Sequence, residues 1–118
     1  MITKRLHSFR YAIAGIIYVI RTQTNARVHL VAAAGVVALG FWLEVSLTDW
    51  CLLTLCISLV IAAEAFNTAV ECVVDLVSPQ RQELAGRAKD AAAGGVLLTS
   101  IGAAVIGAIV FGRRLWPG

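Results

Sequence analysis

The sequence predicts an all-helical membrane protein with an amino-terminal amphipathic surface helix followed by three transmembrane helices. Hydrophobic residues make up 59% of the 118 residues and charged residues only 14%, whereas soluble domains average about 25% charged. A chain this short buries only part of its surface, so much of the apolar content must face something other than water. The composition excludes a disordered chain and disfavours a small soluble helical protein.

The first element is an amphipathic helix at about residues 5–21. Its apolar residues recur at helical spacing on one side, at Leu6, Phe9, Ile13, Ile16, Ile17 and Ile20. Lys4, Arg5 and Arg21 lie near its ends, where basic side chains can reach lipid headgroups. We therefore expect this helix to lie on the membrane surface.

Three further segments are predicted to cross the membrane, at about residues 28–45, 50–77 and 91–112. The last contains 22 uncharged residues between Asp90 and Arg113, and roughly 20 apolar residues suffice to cross hydrocarbon. Trp42 and Trp50 lie at the ends of the first two spans, where indole rings prefer the headgroup level. A short turn at 44–50 and a polar loop at 78–90 would connect the spans within a single domain of residues 1–118.

The basic residues predict the orientation. Eight of the ten Lys and Arg residues precede the first span or lie between the second and third, whereas Arg113 and Arg114 follow the third. Because basic loops remain in the cytoplasm, we expect the amino terminus and the 78–90 loop on that face of the inner cell membrane. Arg113 and Arg114 are expected to contact headgroups. The net charge of +3 does not suggest a nucleic-acid partner.

An acidic stripe marks the second span. We define it as Glu64, Asn67, Glu71 and Asp75, which follow one another at intervals of 3, 4 and 4 residues and cover about 80° of a helix surface. An ionisable group near the bilayer centre costs at least ~2.5 kcal/mol and normally marks function. Exposure at a helix end could explain Asp75 and Glu71, but Glu64 follows 14 uncharged residues.

The stripe and the neighbouring Lys89 and Asp90 together slightly favour phosphoryl transfer. Carboxylates bind Mg²⁺ that is shared with substrate phosphates, and a poorly solvated carboxylate can act as a general base. Lys89 can meet phosphate charge, while Asp90 would cap the third span or orient its partner. No GxxxxGK[ST] loop is present in the sequence. A proton or cation pathway along the stripe is the alternative from a different class.

Two motifs resemble the signature of the prokaryotic integral-membrane diacylglycerol kinase and undecaprenol kinase family. They are EAFNTAVECVVD, from Glu64 to Asp75, and GRAKDAAA, which begins at Gly86. Upstream, SFRYA from Ser8 and NARVH from Asn25 resemble the undecaprenol kinase branch. The resemblance covers essentially the whole chain.

The resemblance implies a homotrimer that transfers the γ-phosphate of ATP to a lipid alcohol, with Mg²⁺ as cofactor. Undecaprenol is the preferred acceptor and diacylglycerol the alternative. Glu64 would be the general base beside the lipid, Glu71 a Mg²⁺ ligand, and Arg10 a lipid contact. The residues implied at the ATP site are Asn67, Glu71, Asp75, Gln80, Arg81, Gln82, Gly86, Lys89 and Asp90.

One position departs from the family pattern. Many relatives have a second glutamate metal ligand where this chain has Gln23. An amide oxygen can still coordinate Mg²⁺, but it brings no charge, so weaker metal binding or a compensating group is expected. His29 is expected to be a satisfied interfacial residue rather than a ligand.

Overall fold

The computed structural model describes residues 2–80 and 82–116, which form four helices and no strand. They are α1 (Ile2–Thr22), α2 (Thr24–Trp42), α3 (Leu47–Val77) and α4 (Glu83–Leu115). By length and composition, α2, α3 and α4 can each cross a membrane. The predicted fold class is therefore confirmed. Arg81, one of the expected ATP-site residues, lies outside the described residues.

The chain leaves most of its apolar surface uncovered. Its accessible surface is 8794 Å², whereas a compact soluble monomer of 12.5 kDa would expose about 6,200 Å². The apolar side of α1, including Leu6, Phe9 and Ile13, is exposed. This surface is available to lipid or to further copies of the chain.

The apolar core lies at the end of the molecule where α2 turns into α3. Val45, Leu53 and Val110 are buried there, and partly buried apolar residues from α2, α3 and α4 surround them. The buried polar residues Glu64 and Asn67 of α3 lie further along the helix, toward its other end. The core thus fixes α3 against α4 and leaves the acidic stripe at the opposite end of the pair.

A hydrogen-bonded turn ends α2 and reverses the chain. The Val45 amide donates to the Gly40 carbonyl at 3.2 Å, and the Glu44 amide donates to the Phe41 carbonyl at 3.3 Å. This pattern is the Schellman motif, which requires a left-handed residue after the helix cap. Glu44 occupies that position with a φ of 51°, a conformation that usually favours glycine.

The two arginines at the end of α4 bind this turn. Arg114 donates through Nε to the Leu43 carbonyl at 2.8 Å, and Arg113 donates to the Asp49 carboxylate at 3.3 Å. Asp49 lies in the first turn of α3 and the arginines lie in the last turn of α4, so each charge also complements a helix dipole. The sequence predicts that Arg113 and Arg114 contact lipid headgroups. In the structure, both guanidinium groups bind protein atoms.

The connection between α3 and α4 is shorter than the predicted loop at 78–90. Gln82 is the N-cap residue and α4 begins at Glu83, so Asp90 lies inside the helix and the prediction that it caps the third span is wrong. Residues 83–90 include Gly86 but no proline, and a single glycine costs a helix only about 1 kcal/mol relative to alanine. An ion pair of 2.6 Å between Arg87 and Glu83 adds support at the favourable spacing of four residues.

Candidate active site

Glu64 is the most deeply buried member of the acidic stripe. Its relative exposure is 1%, and Asn67 is also buried at 9%. Glu64 Oε1 and Asn67 Oδ1 make no hydrogen bond to any described residue. An unpaired buried polar atom costs about 1–3 kcal/mol, so two of them on one helix face indicate a site built for a ligand.

Helix α2 brings His29 to Glu64. The imidazole Nε2 lies 3.4 Å from Glu64 Oε1, although the two groups are not aligned for a hydrogen bond. His29 also lines a cavity of about 90 Å³ whose other lining residues are Ala, Val, Leu, Ile and Cys. The expectation of a satisfied interfacial residue did not include this contact with Glu64. One signal was available, since His29 is the only titratable residue between Arg27 and Glu44.

Asn67 and Glu71 lie further along α3, one helical turn apart. Asn67 Nδ2 donates to Glu71 Oε1 at 3.5 Å, across one helical turn, and Glu71 is half-buried. Within the part of the chain that the structure describes, no cluster of three or more His, Cys, Asp or Glu side chains could hold a metal. Mg²⁺ commonly takes only one or two carboxylates and completes its shell with water and substrate phosphates. Glu71 and the unpaired Asn67 Oδ1 fit a site of that kind.

The solvent end of the stripe is joined to α4. Lys89 Nζ donates to Asp75 Oδ1 at 2.6 Å, and both side chains are substantially exposed. Beside this ion pair lies a cleft of about 390 Å³ between the end of α3 and the start of α4. Six expected ATP-site residues line the cleft, namely Asp75, Gln80, Gln82, Gly86, Lys89 and Asp90.

The loop that closes this cleft has its own hydrogen bonds. Ser78 Oγ donates to the Gln80 carbonyl at 2.9 Å within the loop, and the Gly86 amide donates to the carbonyl of the N-cap residue Gln82 at 3.0 Å, at the start of α4. A Cβ atom on Gly86 would meet nothing within 4 Å. The cleft therefore has open space beside the Gly86 backbone.

Two of the expected residues are not joined to the stripe. Gln23 is the N-cap residue of α2, and its side chain makes no capping hydrogen bond. Arg10 is exposed on α1. No hydrogen bond or ion pair between described side chains connects either of them to the stripe. Helix α1 nevertheless reaches α3, because Tyr18 Oη lies 3.8 Å from Cys72 Sγ.

The sequence was also compared with known proteins. The model of the prokaryotic diacylglycerol kinase family matches residues 10–111. The chain is 38% identical over 108 residues to an undecaprenol kinase of Bacillus subtilis, covering 92% of this chain and 88% of that protein. It is 44% identical over 103 residues to a diacylglycerol kinase of Synechocystis sp., covering 86% of this chain and 59% of that protein. A diacylglycerol kinase of Haemophilus influenzae is 32% identical over 97 residues, with 82% of each chain covered.

Proposed function

The chain belongs to the prokaryotic diacylglycerol kinase family, and from this premise we propose that it transfers the γ-phosphate of ATP to the hydroxyl of a membrane lipid alcohol. One observation carries the proposal. A buried carboxylate and a half-buried carboxylate follow one another along α3, and the cleft that holds Lys89 of α4 lies at the end of that helix. These are the components that positioning and electrostatic catalysis of phosphoryl transfer require.

We propose undecaprenol as the acceptor and diacylglycerol as the alternative. The undecaprenol kinase of Bacillus subtilis is similar over most of both chains. The upstream segments SFRYA and NARVH, which begin at Ser8 and Asn25, resemble the same branch. The phosphate-handling residues do not separate the two lipids, because both acceptors present a hydroxyl to the same machinery.

Glu64 is the general base in this proposal. The lipid oxygen forms a bond to the γ-phosphorus, the bond from that phosphorus to the bridging oxygen of ADP breaks, and the hydroxyl proton moves to Glu64. Glu64 Oε1 has no hydrogen bond among the described residues, so it is free to receive this proton. Its burial also keeps water from competing with the lipid hydroxyl for the phosphate.

Glu71 and Gln23 are the residues that we propose to hold Mg²⁺. When bound, the ion would neutralise the charge on the transferred phosphate. The half-buried Glu71 carboxylate supplies the charged oxygen, and its hydrogen bond from Asn67 restrains the orientation of the carboxylate. The neutral Gln23 amide would add a weaker ligand.

Lys89 is the residue that we propose to meet the nucleotide phosphates. Its ammonium group is already turned toward the cleft by Asp75 at 2.6 Å. Gln80, Gln82 and Gly86 line the same cleft and leave room for the nucleotide. We also include Arg81 and Asp90 in this ATP site. Arg10, on the exposed surface helix, would contact the lipid.

We further propose a homotrimer with the amino terminus and the α3–α4 connection in the cytoplasm. Small residues on α4, at Gly94, Gly95, Gly102 and Gly107, have open space around their Cα atoms. Small residues of this kind allow close helix contacts in lipid. A second and third copy would cover these surfaces and enclose the polar groups of the stripe.

A lipid-specificity assay tests the proposal. Purified protein in mixed micelles is given magnesium, ATP labelled at the γ-phosphate and either undecaprenol or diacylglycerol. We expect label in undecaprenol. Label in diacylglycerol alone would overturn the proposed acceptor. No transfer to either lipid, together with ion flux in vesicles, would instead favour the proton or cation pathway.

The Glu64→Gln variant tests the base. It keeps the size of the side chain and removes the proton-accepting carboxylate, so we expect turnover to be lost while ATP binding is retained. The control is ATP binding by both proteins, measured in the same micelles by equilibrium dialysis. Turnover near that of the original chain would show that Glu64 is not the base.

A further inference from the structure

We propose that His29 is a positioning residue that holds Glu64 and removes the proton which Glu64 takes from the lipid. This inference rests on the proposed kinase function and extends its base step. His29 Nε2 lies 3.4 Å from Glu64 Oε1, and the two residues lie on different helices. No residue of the acidic stripe other than Glu64 takes part in this contact.

Glu64 needs such a partner because it is sealed from solvent. Its side chain is 1% exposed, whereas the His29 side chain is 26% exposed. The hydroxyl of the neighbouring Thr68 donates to the backbone carbonyl of Glu64 at 2.9 Å, and the Asn67 amide donates to Glu71. Neither group is placed to carry a proton away from the carboxylate, whereas the imidazole contacts Glu64 Oε1 and is itself partly exposed.

Among the residues that the structure describes, the imidazole has no polar partner other than Glu64. The other residues lining the cavity beside it are apolar, and they include Val36, Val60 and Ile61. The present contact between His29 and Glu64 is close but unaligned. Contacts of this kind commonly tighten when substrate is bound. A small rotation of either side chain would complete the hydrogen bond.

The proton balance of the step is complete. When the lipid oxygen bonds to the γ-phosphorus and ADP leaves, the hydroxyl proton moves to Glu64. It then moves to neutral His29, which becomes an imidazolium and restores the Glu64 carboxylate. The imidazolium releases a proton to water, so each turnover frees one proton and both residues return to their starting state.

The first experiment compares His29→Ala with His7→Ala in the complete protein. His7 is the matched control, because it is the other histidine and lies exposed on α1. For His29→Ala we expect kcat for lipid phosphorylation to fall about 100-fold, the lower end of what a positioned proton-transfer group contributes, with little change in KM for ATP. His7→Ala should retain its kcat. Added imidazole should restore part of the kcat of His29→Ala and should not restore Glu64→Gln.

A second variant guards against a folding defect. His29→Gln keeps a polar side chain of similar reach but cannot relay a proton, so we expect the thermal unfolding midpoint to be retained and kcat to fall. In the Glu64→Gln background, His29→Ala should cause no further loss, because residues that act as a unit are not additive.

The results separate the two proposals. If the original chain phosphorylates a lipid and His29→Ala is equally active, the His29 inference is overturned and the kinase function stands. The inference is also overturned if the loss of activity follows a loss of thermal stability and imidazole does not rescue it. If the original chain transfers phosphate to no lipid alcohol, the proposed function and this inference are both overturned.

Discussion

Replacing Lys89 with methionine distinguishes a contribution of the ammonium group to catalysis from a contribution of its ion pair to the stability of the fold. The change removes the ammonium group and keeps the length of the side chain. The pair with Asp75 measures 2.6 Å, but the side chains are 40% and 64% exposed. Pairs as exposed as this one contribute about 0.2–1 kcal/mol to stability. Loss of the pair leaves Asp75 in solvent rather than buried without a partner, so the unfolding midpoint should change little.

The effect on catalysis should be much larger. A hydrogen bond to a charged group contributes about 1.5–3 kcal/mol, which at about 1.4 kcal/mol per factor of ten is a loss of about 10- to 150-fold in kcat/KM for ATP. The assay is label transfer from ATP at several ATP concentrations, with thermal unfolding measured in the same micelles. Arg87→Met is the control, because it removes a positive charge from the same turn of α4 at an exposed residue that does not line the cleft. A Lys89→Met variant with unchanged kcat/KM for ATP would refute the assignment of Lys89 to the nucleotide.

Three further changes test the fold and the cleft. Gly86→Ala should stabilise α4 by up to about 1 kcal/mol through helix propensity. It should also raise KM for ATP, because the new methyl group would occupy open space beside the cleft. An unchanged KM would contradict the placement of ATP in this cleft. Glu44→Gly should raise the unfolding midpoint, because a left-handed residue other than glycine costs about 1–2 kcal/mol. Gly40→Ala should lower that midpoint by an amount equivalent to about 1–3 kcal/mol, since its Cβ would lie 2.6 Å from the Trp50 ring.

The helices and the stripe were predictable because each depends on the spacing of residues within one segment. The 22 uncharged residues before Arg113 predict a span whatever its neighbours are. The helical period likewise places Glu64 and Glu71 on one face of α3. Polarity misled the prediction at residues 83–90, because polar residues are equally compatible with a solvated helix turn. The charged residues and Gly86 both suggested a loop, whereas α4 continues through them.

Contacts between helices were not predictable in the same way. His29 and Glu64 are 35 residues apart in the sequence, and their approach depends on how α2 and α3 are shifted along each other. The same is true of Arg113 and Asp49, which meet because the end of α4 lies beside the start of α3. Local periodicity carries no information about such shifts, since many relative positions of two apolar helices bury similar surface.

The length of α3 is compatible with the proposed contacts of this helix to both a lipid and a nucleotide. Its 31 residues extend about 46 Å at about 1.5 Å per residue, well beyond the roughly 30 Å of hydrocarbon. With Trp50 at the outer interface, Glu64 lies about 21 Å along the helix, Glu71 about 31 Å and Asp75 about 37 Å. In the proposed orientation, the proposed base would lie about 9 Å inside the hydrocarbon, the proposed metal carboxylate at its boundary and the proposed nucleotide cleft beyond it.

The depth of Glu64 in the membrane affects which lipid alcohol is the better acceptor in the proposed reaction. A lipid alcohol must bring its hydroxyl to Glu64, which is 1% exposed, and every other polar group that travels with the hydroxyl must lose its hydration as well. A buried polar group without a partner costs about 1–3 kcal/mol. The hydroxyl of a polyprenol is attached directly to hydrocarbon, whereas diacylglycerol carries two esters beside its hydroxyl. A deep base therefore favours the polyprenol, and moving the carboxylate one turn toward Glu71 should weaken that preference.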